Sequence, residues 1–340
     1  MLDPLLTRRT RLVAVCASIG LALGQFATPV AAQGSDEAVA TATVTAAPAY
    51  GAVEYEWNDP LRGRAVPVRL YLPATSEPGA RIPLVVFSHG IGGSRRGYSY
   101  LGSHFAANGI ASLHVQHVGS DRAIWIGNPF SLVGRLHDAA QEREAINRVL
   151  DLHFALDRLL ASEYARSIDA AHIVVAGHSY GANTALLAAG ARVERDGRVL
   201  ELRDPRYSAA ILISAPPFYG ESDPAKILKH VTVPTLHITA TEDVIQIPGY
   251  YSGADDRVAV FEAIGSSRKT LAVFTGGSHS IFTDRAGTGG VQLNAQVKAA
   301  TRDLTLAFVT QVFGGAAGPI DRWSERYRPI VARFVSAGAR

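Results

Sequence analysis

The pentapeptide Gly177-His178-Ser179-Tyr180-Gly181 lies between an apolar, partly β-branched run, Ala171-His172-Ile173-Val174-Val175-Ala176, and an Ala- and Leu-rich run from Ala182 to Leu187. The first run reads as a fully buried strand and the second as a helix packed closely on a sheet. So tight a turn strains the serine backbone, and side chains two residues to either side of it would collide with the neighbouring strand or helix. Glycine at both positions removes that collision. The pattern predicts a serine hydroxyl standing clear at the carboxyl end of a strand, beside a helix N-terminus whose dipole favours developing negative charge. The competing reading is a serine that merely caps the helix; the flanking elements, and the order of the partners below, favour a nucleophile.

The chain begins with Arg8, Arg9 and Arg11, continues through an apolar run from Leu12 to Leu23, and reaches small residues from Ala27 to Ala32 before Gln33. This is the pattern of a secretory signal peptide over residues 1–32, cut after Ala32. The apolar run is shorter than the ~20 residues of a spanning helix, so export to the periplasm or the medium is expected, with no membrane span after cleavage; a retained anchor is the alternative. Residues 33–48 read as a flexible linker and residues 49–340 as one catalytic domain. The single cysteine, Cys16, falls in the leader, which leaves neither disulfide nor thiolate chemistry to the mature chain. Beyond residue 32 stand 30 basic and 29 acidic side chains, a balance with no excess attraction for nucleic acid.

In chain order, 53–57 and 66–72 alternate as two edge strands would, and 83–88 reads as the first buried central strand, delivering His89-Gly90-Ile91-Gly92-Gly93. Residues 98–108 have a helical rhythm, 110–115 is a strand, and 119–136 reads as a long irregular loop. The clearest helix spans 138–161, with Ile146, Val149, Leu150, His153, Leu156 and Leu160 along its inward face. After the elbow come a small hairpin turning at Asp196-Gly197, strands at 209–214 and 233–239, a short helix at 258–264, a last strand at 270–275 and a closing helix at 291–313. Residues 323–334 read as a broken amphipathic tail packed on the body. Strands alternating with helices argue an α/β class: a mostly parallel central sheet with helices on both faces.

Three segments carry a family resemblance: Phe87-Ser88-His89-Gly90-Ile91-Gly92-Gly93, the elbow, and Arg148-x-x-Asp151-x-x-Phe154-x-Leu156-Asp157-x-Leu159. With them the chain resembles the α/β-hydrolase superfamily, and within it the bacterial relatives of platelet-activating-factor acetylhydrolases, often labelled dienelactone hydrolases. The likeness covers most of residues 60–315. True dienelactone hydrolases use a cysteine nucleophile where this chain has Ser179, so the lactone substrate is not carried over.

A serine hydroxyl needs a base. Chain order gives His279, in Gly276-Gly277-Ser278-His279 just after the strand at 270–275, where the glycine pair lets the loop bend back. His178, His114, His117 and His153 fail on placement, and His89 reads as structural, fixing its loop. The imidazole needs an acid. The resemblance favours Asp243, with Asp223 and Glu242 as alternatives. For the oxyanion, one backbone N–H follows the nucleophile, at Tyr180, and the resemblance supplies the other at Ile91. Trp125, Phe130 and Phe218, with Tyr219, are candidate apolar walls at the carboxyl edge of the sheet.

These residues imply an exported serine hydrolase that cleaves carboxylic esters, small or lipid-like, through an acyl-enzyme. Short acyl chains are expected because no large lid is inserted. No cofactor is required, and no His/Asp/Glu cluster has metal-ligand spacing. A secreted polyester or cutin-type hydrolase is the alternative within the class; a silent member of the fold that only binds a ligand is the alternative outside it.

Overall fold

A computed structural model describes residues 49–74, 79–195, 197–315 and 318–336. The expected signal peptide and linker lie outside the described residues. The chain forms β1 (Tyr50–Asp59), β2 (Arg64–Pro73), β3 (Ile82–Ser88), α1 (Ser99–Ala107), β4 (Ala111–Val115), α2 (Leu132–Ala139) and α3 (Glu142–Leu160). It continues with β5 (Ile168–His178), α4 (Tyr180–Ala189), β6 (Arg192–Arg195), β7 (Arg198–Glu201), β8 (Tyr207–Ile213) and α5 (Pro224–Leu228). Then follow β9 (Thr235–Glu242), β10 (Ile245–Ile247), β11 (Tyr250–Ser252), α6 (Ala254–Ala263), β12 (Lys269–Ser278), α7 (Val291–Val312), α8 (Gly318–Tyr327) and β13 (Val331–Ser336).

Among the described residues nine strands make one sheet in the order β1-β2-β4-β3-β5-β8-β9-β12-β13. The six from β4 to β12 are parallel, and β1, β2 and β13 join antiparallel. The strand period of two sorts each central strand between two cores. Leu84, Val86, Ile173, Val175, Ala210 and Leu212 face α3 and α4, whereas Val85, Phe87, Val174, Ala176, Ile211 and Ile213 face α1 and α7. Both faces are covered, so these strands read as unbroken apolar runs. Because the central strands are parallel, the segments after β3, β5, β9 and β12 all emerge at one edge. That edge holds the site.

Several expectations are corrected. Residues 119–136 are not irregular throughout: single 3-10 turns form at Arg122–Trp125 and Pro129–Ser131, each capped by the preceding Asp121 or Asn128 side chain, and α2 follows. The long helix starts at Glu142, because Gln141 is extended (φ −64°, ψ 151°) and separates it from α2. Its buried face is Glu144, Arg148, Val149, Asp151, Leu152, Ala155, Leu156 and Leu159, turned from the expected stripe because three charged residues find partners inside. The segment 66–72 is not an edge, since β2 lies between β1 and β4. The tail contains a ninth strand, β13, which displaces β12 from the sheet border.

Candidate active site

Ser179 is the N-cap of α4 and has a left-handed backbone, φ 56° and ψ −126°. The flanking glycines are a steric necessity. A Cβ on Gly177 would stand 2.1 Å from the Gly181 carbonyl oxygen, and one on Gly181 would stand 2.0 Å from the Ser88 carbonyl oxygen. The Ser179 N–H is tied to the Ile213 carbonyl at 2.9 Å, which fixes the elbow to β8.

Near the end of β12 the glycine pair Gly276-Gly277, with φ 69° and 86°, throws the chain into an arch that returns Ser278 beside Glu242 of β9. The arch sets His279 between two partners. Its Nε2 is 2.8 Å from Ser179 Oγ and its Nδ1 is 2.7 Å from Asp243 Oδ1. Asp243 is fully buried and also accepts the Thr239 hydroxyl at 2.7 Å. Burial works against its ionisation, but the hydrogen bond and charge of His279, with the guanidinium of Arg257, outweigh it and hold this carboxyl well below the usual carboxylate range. A carboxylate only accepts, so Nδ1 carries the imidazole proton and Nε2 presents its lone pair to Ser179. The other acids lie elsewhere: Asp223 spends its carboxylate on the Ala225 N–H as the cap of α5, and Glu242 is exposed. Arg257, itself buried, stands 3.6 Å from Asp243 and acts there as a charge rather than a donor.

A second row supports the first. His178 Nε2 is 3.0 Å from the His279 carbonyl oxygen, which can only accept, so Nε2 bears the proton. His178 Nδ1 therefore accepts the Tyr98 hydroxyl at 2.8 Å. Burial, and then the charge of His279, push His178 down to about 3, which keeps it neutral. Sequence reasoning sets His178 aside and overlooks Tyr98; nothing in its local pattern marks that tyrosine.

Behind the His89–Gly93 loop lies a wholly buried guanidinium. Arg148 donates to Thr184 Oγ1 (3.0 Å), Ser120 Oγ (2.8 Å), Ser88 Oγ (3.1 Å) and the His89 carbonyl, and its plane lies 4.4 Å from the Tyr180 ring centre. One side chain thus grips both walls of the prospective oxyanion site. Ser88 Oγ also meets His117 Nε2 at 2.9 Å, His117 Nδ1 meets Asp151 at 3.1 Å, and Arg64 holds Asp151 at 2.9 Å. His89 donates from Nδ1 to the Gly90 carbonyl and receives the His117 N–H on Nε2, as its structural reading expects. Only the residue spacing Arg148-x-x-Asp151, one face of a helix, signals this network in the sequence. Ile91 N–H has no acceptor among the described residues, although Gly92 and Gly93 donate to Ser120 and Gly90. Tyr180 N–H opens α4, where an unpaired donor is expected.

Two cavities meet at Ser179 and Ile91. The first, of about 290 Å³, is bordered by Tyr180, Leu187, Val193, Leu200, Phe218 and Ile247. The second, of about 400 Å³, is bordered by Trp125, His178, His279, Gln246 and Arg285. Of the expected apolar walls, Phe218 and Tyr219 line the first cavity, and Trp125 lines the second with its Nε1 bonded to the Gly92 carbonyl. Phe130 is corrected: it is 95 % exposed and borders neither, because its short capped turn has no apolar surface to fold against.

Residues 65–128 match the family described as platelet-activating factor acetylhydrolase, isoform II. That stretch carries the His89–Gly93 loop but not Ser179, Asp243 or His279. Among curated proteins, the platelet-activating factor acetylhydrolase of Cavia porcellus is 25 % identical over 177 residues, 40 % of this chain and 35 % of that protein. The chain therefore spans about a third of that relative's length. Among solved structures, a ferulic acid esterase from Streptomyces cinnamoneus matches with TM-score 0.55 and 23 % identity over 78 % of this chain and 92 % of its own. A puromycin hydrolase variant matches with TM-score 0.53 and 17 % identity over 78 % and 40 %. The chain has the α/β-hydrolase fold.

Proposed function

We propose that this chain, built on an α/β-hydrolase fold, is an exported serine hydrolase of carboxylic esters. One observation carries the reading: the continuous hydrogen-bonded series from Ser179 Oγ through His279 to a buried, ionised Asp243, at 2.8 and 2.7 Å.

In this mechanism His279 Nε2 takes the Ser179 proton as the oxygen attacks the ester carbonyl, and Asp243 stabilises the imidazolium that forms. Charge develops on the carbonyl oxygen, where the Ile91 and Tyr180 N–H groups receive it; losing one such donor typically costs about 10²–10³ in rate. The imidazolium returns the proton to the alcohol oxygen as the carbon–oxygen bond breaks. Water, deprotonated by the same imidazole, then releases the acid from the acyl-serine. Export rests on the leader at residues 1–32.

The test is labelling of the folded protein by a fluorophosphonate probe, with the adduct located by mass spectrometry, beside nitrophenyl ester turnover. Labelling of Ser179, lost in Ser179→Ala together with turnover, is the expected result. Folded protein that neither labels nor turns over an ester would overturn the reading in favour of a binding role. Cell fractionation of the full chain tests export: accumulation in the cytoplasm with residues 1–32 uncut would refute it.

A further inference from the structure

Resting on that reading, the geometry points to a division of the substrate between the two cavities: the acyl group enters the one bordered by Leu187, Val193 and Leu200, and it is an apolar alkyl or aryl group of about ten to twelve heavy atoms. The alcohol leaves through the other. Which half goes where follows from the proton. The imidazolium must hand its proton to the departing alcohol oxygen, so the alcohol lies on the side of His279. His279 borders the larger cavity and not the smaller one.

The size follows from volume. An apolar cavity of about 150 Å³ accommodates one benzene ring, six carbons; the acyl cavity measures about 290 Å³. Its depth agrees. It follows α4 from Tyr180 to Leu187, seven residues at a helical rise of about 1.5 Å each, or roughly 10 Å. The far wall is the hairpin β6–β7. Val193 and Leu200 are directly opposite each other in its register, so both project from one face, and both border the cavity. At the rim, Arg195 stands 3.6 Å from Glu142. An acetyl group would leave most of this apolar wall in water. Each methylene buried there raises kcat/KM by up to roughly fourfold until the space is full. The expectation of short acyl chains, drawn from the lack of a lid, is replaced by this measure of the floor. Both cavities carry polar groups at their borders, Asn183, Thr184, Glu142 and Arg195 on the acyl side; the alcohol cavity adds Gln246 and the exposed Arg122, Asp284 and Arg285, so it suits an alcohol with hydrogen-bonding groups.

The experiment uses nitrophenyl esters of acetic, butyric, octanoic, decanoic, palmitic and cinnamic acids, with wild type, Leu200→Trp and Leu200→Ala. In wild type, kcat/KM is expected to peak at octanoate, decanoate or cinnamate, at least about tenfold above acetate; the octanoate and cinnamate arms distinguish alkyl from aryl. Leu200→Trp should lower the octanoate-to-acetate ratio at least about tenfold, and Leu200→Ala should move the optimum to longer acids. Circular dichroism and fluorophosphonate labelling establish that each variant is folded and competent; should Leu200→Trp fail there, Val193→Phe replaces it. A labelled wild type with its optimum at acetate, or a competent bulky variant with an unaltered ratio, would overturn this inference alone. A wild type that neither labels nor turns over any ester would overturn the hydrolase reading and this one with it.

Discussion

Replacing Arg148 by methionine tests whether a side chain that never meets the substrate sets the rate. Three of its four acceptors are hydroxyls that keep another bond: Ser88 with His117, Ser120 with Glu144 and Thr184 with the Tyr180 carbonyl. The His89 carbonyl alone loses its partner, and an orphaned buried acceptor costs about 1–3 kcal/mol. Removing the cation also removes its own burial penalty, visible in a guanidinium pushed down to about 10. Methionine refills much of the volume, so the net loss stays near 1–3 kcal/mol. The catalytic loss should be larger in proportion. The His89 carbonyl belongs to the peptide next to the one bearing Ile91 N–H, and freeing it lets that donor drift. Complete loss of one oxyanion donor sets the ceiling at about 10²–10³, so kcat is expected to fall about 10- to 100-fold with KM within about threefold. Arg148→Lys, which keeps the charge but cannot span four acceptors, should fall between. Steady-state kinetics on a nitrophenyl ester, with urea unfolding in parallel, read both effects. A folded Arg148→Met enzyme with kcat within about twofold of wild type would refute the reasoning.

Gly181→Ala forces a Cβ to within 2.0 Å of the Ser88 carbonyl oxygen; overpacking of this kind costs about 1–3 kcal/mol, and kcat should collapse by more than stability does, which kinetics beside thermal unfolding will show. Asp243→Asn should reduce kcat about 10⁴-fold, because an amide no longer selects the Nδ1–H tautomer of His279. The same variant carries a pH signature: the folded carboxyl lies below its unfolded value, so its stabilisation is complete above about pH 4 and is lost as pH falls further. Urea unfolding should show the gap between wild type and Asp243→Asn narrowing from pH 7 to pH 3, and a constant gap would contradict the ion pairing. Tyr98→Phe strips the donor from His178 Nδ1 and should cost about 1–3 kcal/mol, measured by the same unfolding.

The elbow reads directly from the sequence because its requirements are local: two glycines, a strand before and a helix after. His279 reads nearly as well, since the glycine pair that arches the chain is adjacent to it. The acid is harder. Asp243 and Asp223 each follow a strand, and what separates them is that Asp223 is consumed by its own helix cap, a competition visible only in three dimensions. For another reason Tyr98 is overlooked, His178 is set aside and Arg148 stands out only as part of a family motif. Each acquires its role from segments 28 to 101 positions away, through approaches that no periodicity encodes. The reverse holds for Phe130, whose composition suggests a wall but whose turn offers it nothing to lean on. Strand β13 is short and carries Arg333 midway, so its helical and extended patterns compete, and only the unpaired flank of β12 decides between them.

That flank has a practical side. β12 hands the chain to His279 directly, and among the described residues its outer row of N–H and C=O groups is covered by β13 alone. Peeling β13 away, by a protease nick near Arg328 or an ill-placed fusion, would bare a β-rich border able to recruit a neighbouring molecule. Anyone immobilising or tagging this protein should therefore treat residues 331–336 as a seam belonging to the imidazole's foundation, and attach elsewhere.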